Sequence, residues 1–91
     1  MKQFIPHDNW KGTPAFIVVG INAAYALRIV AIEGLLLDDD DTFAYVTPLG
    51  VYGPRQVLAW LSPDGWLIDT QTGTQWSNAD EWARTKMEAV H

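Results

Sequence analysis

Four consecutive carboxylates, Asp38, Asp39, Asp40 and Asp41, are the sharpest chemical feature of this 91-residue chain. Like charges this close repel, so the run must face water or a cation. Three readings follow. The first is a solvated hairpin tip with no chemistry of its own. The second is calcium. An EF-hand loop starting at Asp38 requires Gly at its sixth position and Glu at its twelfth, and the sequence has Phe43 and Leu49 there. No metal site is therefore expected. The third is an acidic lure. Four carboxylates on a rigid tip imitate backbone phosphates and can occupy an arginine-rich nucleic-acid channel. That role needs more acids on the same surface, and Glu33, Asp64, Asp69, Asp80, Glu81 and Glu88 are the candidates.

A second set is aromatic: Tyr45, Tyr52, Trp60, Trp66 and Trp76. Flat rings can stack on sugars or bases. A base-stacking surface is normally flanked by cations, and only Arg55 is near in sequence, whereas a carbohydrate surface needs none. In a chain this short the same rings also serve as the core. Tyr52 sits in a loop rich in Pro and Gly, which adds it to the acidic run as a partner-binding residue.

Catalytic chemistry is sparse. His7 and His91 lie near the two ends of the chain, Ser62 belongs to a turn, and Ser77 to the start of a helix. No nucleophile–base pair has a characteristic spacing. Gln71–Thr74 holds a single glycine and is no phosphate loop. A two-carboxylate glycosidase site would need a deep cleft, for which a domain of this size has little room. The expectation is a protein that is not an enzyme and takes no cofactor.

Composition narrows the classes further. Eleven acids stand against six bases, a net charge of -5, which opposes binding to phosphate backbones and suits a basic protein partner. The absence of cysteine removes disulfides and thiolate chemistry. Apolar residues make up 48% of the chain, enough for one folded domain over 1–91. The N-terminus shows no apolar run after Lys2, so a cytoplasmic protein is expected.

The elements that must position these residues read as follows. Residues 1–14 form an arm with turn chemistry, pinned by Phe4, Ile5 and Trp10. Residues 15–37 are the most apolar stretch. A membrane span would bury Arg28 at roughly 2.5–3.5 kcal/mol, which disfavours it. A buried helix around Ala23–Ile32 and a pair of strands, 16–19 and 27–32, both fit, and β-branched density favours strands. Gly20 and Asn22 would then supply positive φ in the connection. Arg28, Val30 and Ile32 share one strand face and Leu27, Ile29, Ala31 and Glu33 the other, which suggests a central strand covered on both sides. Gly34 allows a bend before Leu35–Leu37.

Phe43–Thr47 reads as a strand, making the Asp run the tip of a hairpin, and Pro48–Pro54 as an irregular loop. Residues 55–61 fit a strand or a helix, with the strand preferred. Ser62-Pro63-Asp64-Gly65 is turn chemistry, with Gly65 left-handed and Trp60 opposite Ile68. Leu58, Trp60, Ser62, Trp66, Ile68 and Thr70 would share a face, with Val57, Ala59, Leu61, Leu67 and Asp69 on the other. Thr72-Gly73 turns into a short strand at 74–76. Residues 77–91 start with a Ser77 cap and form a helix whose stripe is Ala79, Trp82, Ala83, Met87 and Val90.

The expected fold is a small α+β domain. An antiparallel, open or barrel-like sheet of five or six strands over 15–76 packs on one C-terminal amphipathic helix. In size, charge and lack of cysteine the chain resembles small phage-encoded inhibitors such as anti-CRISPR proteins, though in no motif. The expected function, drawn from the acidic surface, is a non-enzymatic protein-binding module, in its sharper form an inhibitor of a basic, nucleic-acid-handling protein. A structural subunit of a phage particle or other assembly, and a small carbohydrate-binding domain, are the alternatives.

Overall fold

The computed structural model describes residues 3–7, 14–40 and 42–88. Among the described residues, nine strands run in chain order: β1 Gln3–Pro6, β2 Phe16–Ile21, β3 Leu27–Ala31, β4 Gly34–Leu37, β5 Phe43–Thr47, β6 Gly50–Tyr52, β7 Ala59–Leu61, β8 Leu67–Asp69 and β9 Gln75–Trp76. One helix follows, α1 Ala79–Glu88. The strands form a four-stranded sheet ordered β1-β4-β5-β6 and a five-stranded sheet ordered β3-β2-β7-β8-β9, with every pairing antiparallel. The α+β class and the C-terminal helix are as the sequence suggests. A five-stranded antiparallel sheet packs on that helix, also as expected; the second, four-stranded sheet is the addition, and neither sheet closes into a barrel.

The layers follow from alternation along β2. Ile17 and Val19 point to one side, where they meet Ile32, Tyr45, Val57, Leu35 and Tyr52. Val18 points to the other and packs with Ala59, Leu67, Trp82 and Ala83. The five-stranded sheet is therefore the middle layer, with the four-stranded sheet on one face and α1 on the other. Trp82 is buried at the helix contact. Burying a side chain of this kind stabilises by about 2–3 kcal/mol, which makes Trp82 the anchor of α1.

The apolar stretch at 15–37 resolves into β2, β3 and β4, and no helix among the described residues is long and apolar enough to cross a membrane. β2, not β3, is the strand covered on both sides. β3 lies at the sheet edge, where Ile29 and Ala31 are exposed. Positive φ in the β2–β3 turn falls on Tyr25, at 61°, rather than on Gly20 or Asn22. Gly20 stays in the strand beside a bulge, and the Asn22 side chain instead accepts from the Ala24 and Ala26 amides at 2.9 and 3.1 Å. The left-handed Tyr25 costs roughly 1–2 kcal/mol. Its ring lies under the Arg84 guanidinium, 5.8 Å from the centroid, a cation–π contact that offsets part of that cost.

The chain changes sheets at Ile32–Glu33. The Ile32 amide donates to the Ala15 carbonyl just ahead of β2 and the Glu33 amide to the Val46 carbonyl in β5, at 2.9 and 2.7 Å. Gly34 follows because nothing larger fits: a Cβ there would lie 2.5 Å from the Ile5 carbonyl oxygen and 2.7 Å from the Phe4 ring.

The turn at Pro63–Gly65 forms as read. Gly65 has φ +96° and its amide donates to the Ser62 carbonyl, and Trp60 pairs with Ile68. Before it, Pro54–Gln56 is a single 3₁₀ turn, and the strand begins only at Ala59. That turn breaks the alternation, so Val57 joins the sheet–sheet core and Leu58 the helix-side core, the reverse of the expected faces. Residues 48–53 are not an irregular loop. Thr47 pairs with Gly50, leaving Pro48-Leu49 as a two-residue connection to β6. The helix is capped by Asn78, not Ser77: Asn78 Oδ1 accepts from the Asp80 and Glu81 amides at 3.0 and 3.1 Å. Trp10 and Val90 lie outside the described residues.

Candidate functional site

The acidic run is the connection of the β4–β5 hairpin. Leu37 pairs with Phe43, and the Asp38 amide donates to the Thr42 carbonyl at 2.9 Å. The Asp38 carboxylate accepts from the Asp39 amide at 2.8 Å. Asp38, Asp39 and Asp40 are exposed, and Asp41 lies outside the described residues. β1 and β6 flank the two strands, so the tip stands on a fully paired support.

The other acids are dispersed. Glu33 is at the sheet crossing, Asp64 at the β7–β8 turn, and Asp80, Glu81 and Glu88 on α1, all exposed. No group of three or more His, Cys, Asp or Glu among the described residues could hold a metal.

Asp69 is buried and serves as a keystone. Its Oδ1 accepts from the Gln71 and Thr72 amides at 2.8 and 3.3 Å. Its Oδ2 accepts from Trp82 Nε1 at 2.9 Å and Lys86 Nζ at 3.2 Å, which ties α1 to the β8–β9 turn. Burial alone would raise this carboxyl. The four donors outweigh it and hold the group below its ordinary value. The sequence carried a hint of this in a lone acid closing an apolar strand before Thr-Gln-Thr-Gly.

Tyr52 is half-buried. It pairs with Tyr45 and packs against the sheet–sheet core, while its neighbour Val51 points outward. Tyr45 and Trp60 also pack in the sheet–sheet core. Trp60 Nε1 donates to the Tyr45 hydroxyl at 2.9 Å, and burial pushes the Tyr45 phenol up, partly countered by that bond. Trp66 and Trp76 are half-buried, and the Trp76 indole nitrogen is buried without a hydrogen-bond partner. Tyr45, Tyr52 and Trp60 belong to the sheet–sheet core and Trp76 to the helix-side core, so these rings are not gathered on one face.

Ser62 and His7 hold backbone groups. Ser62 Oγ accepts from the Trp66 amide at 3.1 Å, and His7 Nε2 donates to the Pro14 carbonyl at 3.1 Å. Ser77 is exposed ahead of the cap, and His91 lies outside the described residues.

One surface went unread in the sequence. Leu36, Ala44 and Val51 line a hollow of about 150 Å³ together with Asp38, Thr42 and Phe43. The signal for it was present: Phe43–Val46 is apolar at every position, on both faces of a strand. A neighbouring hollow of about 470 Å³ lies between Thr42-Phe43 and Gly53–Gln56, with Arg55 on its wall. The chain matches no protein-family model, no curated protein and no solved structure.

Proposed function

We propose that the chain is a non-enzymatic protein-binding module whose acidic hairpin end engages a basic surface on a nucleic-acid-handling partner and blocks it by standing in for phosphates. The observation that carries this reading is the placement of Asp38, Asp39 and Asp40. All three are exposed at the end of a hairpin supported by a strand on each side. Charges held on a paired support bind without first ordering a loop, which raises affinity. The net charge of -5 adds long-range attraction to a basic partner.

The partner is to be identified by affinity capture from the host followed by mass spectrometry, and then titrated with purified chain. Affinity should fall as salt rises, and Asp38→Asn, Asp39→Asn and Asp40→Asn together should weaken it. Affinity unchanged by that triple replacement removes the phosphate-mimic mechanism.

A further inference from the structure

The outer face of the four-stranded sheet carries Phe4, Pro6, Leu36, Ala44, Val46 and Val51. Pairing sets this. Phe4 lies opposite Leu36, Leu36 opposite Ala44, and Val46 opposite Val51. The alternating residues Leu35, Tyr45 and Tyr52 pack inward. All six outward residues are apolar, and Phe4 and Val51 are 48% and 55% exposed. Sheets bury apolar faces on another layer. The five-stranded sheet has a layer on each side. Among the described residues, no element covers the outer side of the four-stranded one. Contiguous apolar surface of this kind marks an interaction site.

Size and charge define the occupant. Four strands span three spacings of ~4.8 Å, about 14 Å. A helix with its side chains is about 10–12 Å across. One helix therefore covers the face, as α1 covers the opposite side of the molecule. The face ends against the acidic tip, because Asp38 shares a hollow with Leu36, Ala44 and Val51. Anionic lipid and nucleic acid are repelled there. A second copy would bring its own acidic tip and a charge of -5.

We propose that this face docks one amphipathic helix of a partner protein, its apolar stripe on the sheet and Lys or Arg residues at the end beside Asp38–Asp40. The basic end of that helix rests on the acidic-tip reading above; the apolar contact stands without it.

Photo-crosslinking in cells that carry the chain tests this, with p-benzoylphenylalanine placed at Val51 and, as control, at the exposed Thr72 on the β8–β9 turn. The expected adduct forms at position 51 only, and its crosslinked peptide has an apolar helical stripe ending in basic residues. Crosslinking to a second copy, to lipid or to a peptide without that stripe overturns the proposal, as does no signal above the control. The crosslinked segment is then synthesised and titrated against the full chain. Val51→Lys, at a position exposed enough to leave the fold intact by circular dichroism, should weaken binding about tenfold or more. If Val51→Lys weakens binding and the triple Asp→Asn replacement does not, the docking face stands and the phosphate mimic falls. If only the triple replacement weakens it, the docking face falls and the acidic reading stands.

Discussion

Replacing Asp69 by Asn changes one atom type and tests the junction between α1 and the sheet. The amide oxygen can take the Oδ1 position and keep the Gln71 and Thr72 turn bonds. The amide nitrogen then faces two donors, Trp82 Nε1 and Lys86 Nζ. Stranding the buried indole N–H costs about 1–3 kcal/mol. Losing the ion pair with the part-exposed Lys86 adds about 1 kcal/mol, discounted for solvent screening. The sum is about 2–4 kcal/mol, a large share of the ~5–15 kcal/mol that holds a small domain. For a chain of this length that corresponds to a Tm fall of roughly 10–25 °C. Urea unfolding followed by tryptophan fluorescence measures it.

The pH dependence sharpens the test. The folded Asp69 binds its proton less tightly than the unfolded chain, whose Asp titrates near ~3.9. Its contribution is complete above about pH 5 and is lost as pH falls through the folded value. The stability gap between parent and Asp69→Asn should therefore be constant from about pH 5 to 8 and shrink in acid. A gap below about 0.5 kcal/mol at neutral pH, or one that persists undiminished in acid, would refute the keystone role.

Other outcomes follow from the same structure. Gly34→Ala drives a Cβ into the Ile5 carbonyl, so it should cost about 1–3 kcal/mol or more; residues 3–6 should lose hydrogen-exchange protection first, and uniform loss would contradict the cause. Asn78→Ala should cost about 1 kcal/mol in thermal unfolding and Ser77→Ala much less, the reverse order placing the cap at Ser77. In an alkaline absorbance titration, Tyr45 should ionise above the ordinary ~10, because burial raises it. Stability should then decline as pH rises from ~10 through that higher value. The same titration of Tyr45→Phe should lack that late phase, and a late phase that survives the replacement would contradict it.

What the chain revealed in advance were the features written in local chemistry. Pro63-Asp64-Gly65 specifies its turn through backbone preference alone, and the turn then dictates that Trp60 faces Ile68. The acidic hairpin end was legible because repulsion forbids burial. The helix cap was displaced by one residue because Ser77 and Asn78 both suit the position and each has an acid three residues on. The division into two sheets was hidden. The crossing at Ile32–Glu33 is made by two backbone hydrogen bonds, one to the chain just ahead of β2 and one to β5, which no side chain announces apart from Gly34. Tyr52 looked like a loop residue because β6 is only three residues long, set between Pro48-Leu49 and Gly53-Pro54. The outer sheet face escaped notice because apolar residues on both sides of a strand show that both sides want cover, without showing which cover the chain itself supplies.

The order of strands in the middle layer has a consequence for how the chain assembles. Among the described residues, five of the seven pairings join strands adjacent in sequence and close over short turns. The pairing of β2 with β7 joins residues roughly forty apart along the chain. Closing a loop of that size costs about 3 kcal/mol of chain entropy before any contact repays it. Until that happens, neither core is complete, since Ile17 belongs to one and Val18 to the other. Three strands of the four-stranded sheet, β4, β5 and β6, lie with the acidic tip between β3 and β7, inside the loop that this single encounter must close, while the fourth, β1, precedes β2.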